Sequence, residues 1–308
     1  MLTAVSPPRE FTRRIAPSVL PARVVAWSAV AIGSKLPEIV CHQFNLEPGF
    51  GLALGQVIFL VLLYAVARQA PPLRGIAGFV LAITALSFAW LVVVPWLEGW
   101  DTFDSFTAHL RWEMRFAVAR LIRSAGAILM LVTLIGSGLS RDDLFLRLGN
   151  WRAPVNARSH PPGRRPLRWW QLAIAFLVVS SVVVPTFYFW TLHPEGKHIR
   201  EFLGILPLAL VLSVFNAANE EFQFRSVILA RSKNVLPPSE TFLLSGTLFG
   251  LDHYFGQPSG WGGMILAGIA GWIWAKSMFE TRGFTCAFIM HFVEDVLILG
   301  FFFTSVAP

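Results

Sequence analysis

Charge is scarce in this chain. Only 14% of its 308 residues are Asp, Glu, Lys or Arg, while 55% are hydrophobic, with 27 Phe and 12 Trp. That balance excludes an ordinary water-soluble domain. Cysteine is nearly missing: Cys41 and Cys286 are too few for a disulfide framework, and Cys286 lies within an apolar segment, so neither reports a redox compartment. No short apolar core is followed by an A-x-A site, so no cleavable signal peptide is expected. Internal repeats, zinc-finger spacings and phosphate-binding loops are lacking too. The net charge of +7 does not signal nucleic acid. Its arginines fall in short loops between apolar runs, where topology and anionic lipid headgroups account for them.

What the chain has is long apolar runs. A helix needs roughly 20 apolar residues to cross the hydrocarbon. Residues 51–67, 75–97, 169–192, 261–275 and 284–304 read as spans or near-spans, and 124–139 is extended backward through Ala117. A weaker segment starts at Val24, and 201–219 and 241–255 lie on either side of a charged stretch. The expected fold is an all-α polytopic membrane helix bundle of about eight or nine transmembrane helices. Arg9, Arg13, Arg14 and Arg23 precede the first segment, Arg68 and Arg74 flank the next loop, and seven arginines crowd 140–168. Basic loops stay in the cytoplasm, which predicts a cytoplasmic N-terminus. Arg111, Arg115, Arg120 and Arg123 then fall on the outer side, so 103–123 is expected as an amphipathic helix at the interface. The stretch PVNARSHPPGRRPLR at 154–168 reads as a linker between an N-terminal transmembrane region, 1–165, and a C-terminal core, 166–308.

Against this background the stretch NAANEEFQFRS, 216–226, stands out. An ionisable group at bilayer depth costs at least about 2.5 kcal/mol, so such residues face the bundle interior and mark function. Three clusters qualify, all after residue 215: Glu220, Glu221 and Arg225; Asp252 and His253; and His291, Glu294 and Asp295. Glu221 and Arg225 are four apart and share a helical face, with the acid on the favourable N-terminal side. Glu220 stands about 100° around the helix, so Arg225 is expected to position Glu221 while Glu220 points at a cavity. The competing reading pairs both acids with Arg225 as a structural knot. His291 and Asp295 share the same spacing, which lets the carboxylate orient the imidazole. Phe249 backs His253 with an aromatic ring.

One Glu and two His suit hydrolysis: a carboxylate takes a proton from water, an imidazole orients it, and a polar pair stabilises the oxyanion. No organic cofactor is implied. The same set fits a zinc site, although the H-E-x-x-H signature is absent.

The succession EExxxR (Glu220, Glu221, Arg225), FxxxH (Phe249 to His253) and HxxxD (His291 to Asp295) resembles the CPBP family, which comprises type II CAAX-prenyl endopeptidases and bacterial Abi membrane proteases. The resemblance covers roughly residues 200–305. It implies a glutamic-type intramembrane endopeptidase in the bacterial plasma membrane, acting on a membrane-associated protein or peptide. By position, Glu220 and His253 match the water-activating pair, and His291 with Asp295 the oxyanion side. Prenyl-protein members carry Asn where this chain has Asp295. An ionised Asp only accepts hydrogen bonds, so Asp295 is expected to orient His291, and prenylated substrates are in doubt.

Residues 1–165 carry no nameable motif and read as a shield for the pocket. Trp96, Trp100, Trp169 and Trp170 are expected as interfacial anchors, His109, Glu113 and His160 as solvated or lipid-facing groups, and Gly260, Gly262, Gly263, Gly268 and Gly271 as sites of close helix packing. Two rival functions bury similar polar groups: a transporter, and a non-catalytic immunity or scaffold protein.

Overall fold

The computed structural model describes residues 19–157, 165–192 and 196–306. Arg9, Arg13, Arg14, His160 and the centre of the expected linker lie outside them. Fourteen α-helices follow one another among the described residues: α1 (Val19–Gly33), α2 (Leu36–Gln43), α3 (Phe50–Gln69), α4 (Arg74–Phe88), α5 (Val94–Glu98), α6 (Asp101–Thr107), α7 (Trp112–Ile122), α8 (Ala125–Leu134), α9 (Trp169–Leu192), α10 (Gly196–Glu220), α11 (Ile228–Ser232), α12 (Pro238–Asp252), α13 (Gly260–Thr281) and α14 (Thr285–Val306). No strand forms among the described residues; the linker's flanks meet at an antiparallel bridge, Pro154 to Arg168, with the Val155 N–H donating to the Leu167 carbonyl oxygen at 2.8 Å beside it.

The all-helical class holds, and the expected count of eight or nine spans is not confirmed. Among the described residues, five helical stretches are long and apolar enough to cross a membrane: Phe50–Gln69, Pro71–Glu98, Trp112–Leu134, Trp169–Trp190 and Leu203–Ser232. A sixth arises if α1 and α2, bent by 56°, form one broken span. The segment expected at 241–255 folds as α12, whose 15 residues fall short of the roughly 17 that a crossing requires. The charged stretch does not lie between two spans. It sits inside one, because α10 continues through a wide π-helical turn, Glu221–Val227, into α11.

Two further expectations are corrected. Residues 103–123 are broken between α6 and α7, and α7 runs with α8 into the span Trp112–Leu134 instead of lying along the interface. Three of the segment's four arginines are matched by acids: Arg115 by Asp104, Arg111 by Glu113, and Arg123 by Glu98 at 3.8 Å. That pairing leaves Glu113 buried rather than solvated. Trp96, Trp100 and Trp170 are exposed, but Trp169 is fully buried and donates its indole N–H to Glu280 at 2.9 Å.

One hydrophobic cluster runs through both halves of the chain and includes Ala26, Phe79, Leu86, Phe224, Phe249 and Trp274. The N-terminal helices are also tied to α12 by polar contacts. Arg23 reaches Glu240 at 2.7 Å, and the Lys35 backbone N–H donates to Asp252 at 3.1 Å. Helices α12 and α13 pack backbone to backbone. A Cβ on Gly250 would lie 2.6 Å from the Met264 carbonyl oxygen, so only glycine fits there. Gly271 likewise stands against Arg225 and Phe249, whereas Gly260 and Gly262 meet nothing and take no part in the contact.

Candidate active site

The polar residues singled out in the sequence converge from the π-helical turn, α12 and α14. Arg225 and Glu221 are fully buried, and Glu220 and His291 nearly so. His291 Nδ1 lies 2.8 Å from Glu221 Oε1, while its Nε2 lies 3.5 Å from Glu220 Oε2 and 3.6 Å from Asp295 Oδ1. The two glutamates flank one imidazole: standing about 100° apart on their helix, they leave an angle into which the ring fits. A carboxylate can only accept a hydrogen bond. Nδ1 therefore carries the proton shared with Glu221, and Nε2 faces Glu220 and Asp295.

This geometry revises the expected role of Asp295. The acid at hydrogen-bonding distance from His291 is Glu221, not Asp295. Asp295 instead accepts a hydrogen bond from Asn216 Nδ2 at 3.1 Å. Arg225 does lie beside Glu221, Nη1 to Oε1 at 3.2 Å. Its N–H groups are not aimed at the carboxylate, and all three of its nitrogens lack a hydrogen-bond partner, so we read this contact as charge pairing. The guanidinium is held by rings: its Cζ sits 3.8 Å from the centroid of Phe249 and 4.8 Å from that of Trp274. Cation–π contact is the usual way to hold a desolvated Arg against aromatic faces.

His253 stands at the C-terminal end of α12. Its Nδ1 lies 2.8 Å from the Phe249 carbonyl oxygen; because that oxygen only accepts, Nδ1 carries the proton and Nε2 is left as an acceptor. The Phe249 ring backs the imidazole, with centroids 4.1 Å apart. Glu220 is near enough to His253 and His291 for its charge to act on both, and its Oε2 has no hydrogen-bond partner. The neighbouring acids turn elsewhere: Asp252 to the Lys35 amide, and Glu294 to the Ser180 hydroxyl at 2.9 Å.

Three residues of the site went unread in the sequence. Trp274 stacks on His291 at 4.2 Å and 17°, a ring that looks like any core aromatic in an apolar run. Asn216 lies one helical turn before Glu220, a spacing that was available. Arg120, from the N-terminal half, donates to Asn216 Oδ1 at 3.5 Å and so joins a chain Arg120–Asn216–Asp295 that no local pattern announces. Among the described residues, no group of three or more His, Cys, Asp and Glu side chains is disposed to hold a metal ion.

Buried carboxylates and imidazoles from separate helices thus meet in one polar cluster within the apolar bundle, an arrangement able to move protons. Residues 202–297 match the family model described as Type II CAAX prenyl endopeptidase Rce1-like. The matched segment contains every residue named in the three motifs, in keeping with the resemblance to the CPBP/CAAX protease family. No curated protein and no solved structure matches the chain. Together with its apolar helices, the family marks the chain as an integral membrane protein.

Proposed function

We propose that the protein is an intramembrane endopeptidase in which Glu220 and His253 activate a water molecule against a peptide bond of a membrane-associated protein or peptide. The observation that carries this reading is the unpartnered Glu220 Oε2, buried 3.5 Å from His291 Nε2. Ionised Glu220 takes a proton from water while the oxygen attacks the scissile carbonyl carbon, and the Nε2 lone pair of His253 holds the other water proton. As the tetrahedral intermediate collapses, the C–N bond breaks and Glu220 returns its proton to the leaving amine. The products are a carboxylate and an amine.

Glu221 fixes the tautomer and tilt of His291, and Arg225 stands beside Glu221 as its counter-charge within an apolar wall. Protonated at Nε2, His291 donates to the developing oxyanion. Asn216 carries a second amide N–H, the kind of donor that a carboxylate at 295 does not offer.

The test compares membrane-peptide profiles of cells carrying the wild-type chain with cells carrying Glu220→Gln. A peptide that accumulates uncut only in the variant supports the reading and names the substrate. Normal turnover by purified Glu220→Gln in proteoliposomes would reject it. Zinc is the alternative by residue type, since His and Glu are zinc donors, although the described side chains are not disposed to hold a metal ion; loss of activity in chelator, restored by zinc, would replace the glutamate mechanism with a metal-assisted one.

A further inference from the structure

On the arginine-rich side of the bundle, the C-terminal ends of α3, α8 and α11 meet the start of α4 around a cleft of about 410 Å³. Arg68, Arg74 and Arg231 line it together with Tyr64, Ser137 and Asn234, and no acidic side chain does. The two acids of the following loop are committed elsewhere, Asp143 to Lys233 at 3.1 Å and Asp142 to Arg147. Among the described residues none of the three arginines forms an ion pair. Like charges are thus gathered in one recess without a counter-ion, an arrangement that repels itself unless an anion enters.

Arg231 is built into the wall. Its Nη2 donates to the Thr133 carbonyl oxygen at 2.8 Å, and its Nε is buried with no partner. Gly78 leaves the guanidinium its place: a Cβ there would come within 3.1 Å of Nη1. Arg74 bonds the Arg68 carbonyl at 3.3 Å, which holds the two exposed arginines on one rim. The other rim is apolar, with Ile135 77% exposed and Leu139 beside it. Guanidinium forks match the oxygens of a phosphate, and a basic pocket between membrane helices beside an apolar rim suits an anionic headgroup whose acyl chains stay in the hydrocarbon.

We propose that this cleft binds the phosphate headgroup of an anionic phospholipid, with Arg68, Arg74 and Arg231 on the phosphate and Ile135 and Leu139 against the chains. Such a lipid clamps α3 and α4 to α11, which continues the helix bearing Glu220. The site is independent of the proteolytic reading.

The test uses the full-length chain, delipidated in neutral detergent, titrated with phosphatidylglycerol or phosphatidylcholine and read by native mass spectrometry and thermal melting. One phosphatidylglycerol is expected to bind per chain and raise Tm, with phosphatidylcholine at least about tenfold weaker. The double variant Arg68→Gln/Arg74→Gln changes two exposed side chains, leaves the packed Arg231 intact, and is expected to weaken phosphatidylglycerol at least about tenfold. Arg141→Gln, in the next loop, is expected to leave binding unchanged. Equal binding of both lipids, or undiminished binding by the double variant, overturns the proposal. Full displacement of the lipid by inorganic phosphate would assign a free-anion site and overturn the lipid source.

Discussion

His291 Nδ1 and Glu221 Oε1 stand 2.8 Å apart in a pair sealed from water. The contact links the first motif of the sequence to the last, across 70 residues, and it makes Glu221 a partner of both an imidazole and a guanidinium. Removing one member of a buried charged group leaves the others uncompensated, at a cost of about 3–5 kcal/mol. Glu221→Ala is therefore expected to lower Tm and folded yield sharply. Glu220→Ala, His253→Ala and His291→Ala are each expected to abolish cleavage in proteoliposomes. Melting curves and turnover on the same preparations separate the two effects. A Glu221→Ala protein as stable as wild type would contradict the role given to this pair.

Asn216 is expected to act as a positioning residue through Asp295. A hydrogen bond to a charged group contributes about 1.5–3 kcal/mol, so Asn216→Ala should cut kcat by about tenfold or more with little change in KM. Arg120→Gln, one link further away, should show the same split more weakly. An effect of Asn216→Ala confined to KM would refute the assignment.

Trp274 covers one face of His291 and also one face of Arg225. Trp274→Phe keeps an aromatic surface and is expected to retain most stability. Trp274→Ala opens a cavity and should destabilise by about 3–5 kcal/mol, measured by melting in detergent. Equal losses in the two variants would show that an aromatic surface at 274 is not what holds His291 and Arg225 in place.

Outside the membrane, Asp143 offers a check on the loop after α8. Hydrogen bonds from the Ser140 side chain and backbone, with Lys233 beside it, hold its pKa at about 2 against an ordinary 3.8. A depressed acid stabilises the fold above its unfolded value and loses that contribution as pH falls through the folded one. Asp143→Asn should therefore lower Tm at neutral pH and make no difference near pH 2. A pH-independent difference would show that the contact is steric.

Much of this was legible in the sequence, for identifiable reasons. Charges in apolar helices are costly, so Glu220, His253 and His291 announced themselves, and i,i+4 spacing paired Glu221 with Arg225. The partners of His291 were not legible: helical spacing pointed to Asp295, whereas the stronger contact comes from another helix. Arg120 was hidden because a sequence shows that an arginine is near a span end, not which span it faces. Hydropathy alone could not tell a 15-residue buried helix from a crossing, as with the segment expected at 241–255, which folds as α12.

The π-helical turn at Glu221–Val227 divides a single rod into two portions, with Asn216 and Glu220 on one side and Arg231 on the other. Such turns insert an extra residue into α-helical winding and recur at functional positions. Straightening it would unscrew the two portions by about 100°, swinging the Glu220 carboxylate off the imidazoles while the arginine end stayed seated. The two proposed sites are thus geared through one loosened coil of backbone, and a one-residue deletion there would disengage them without touching either.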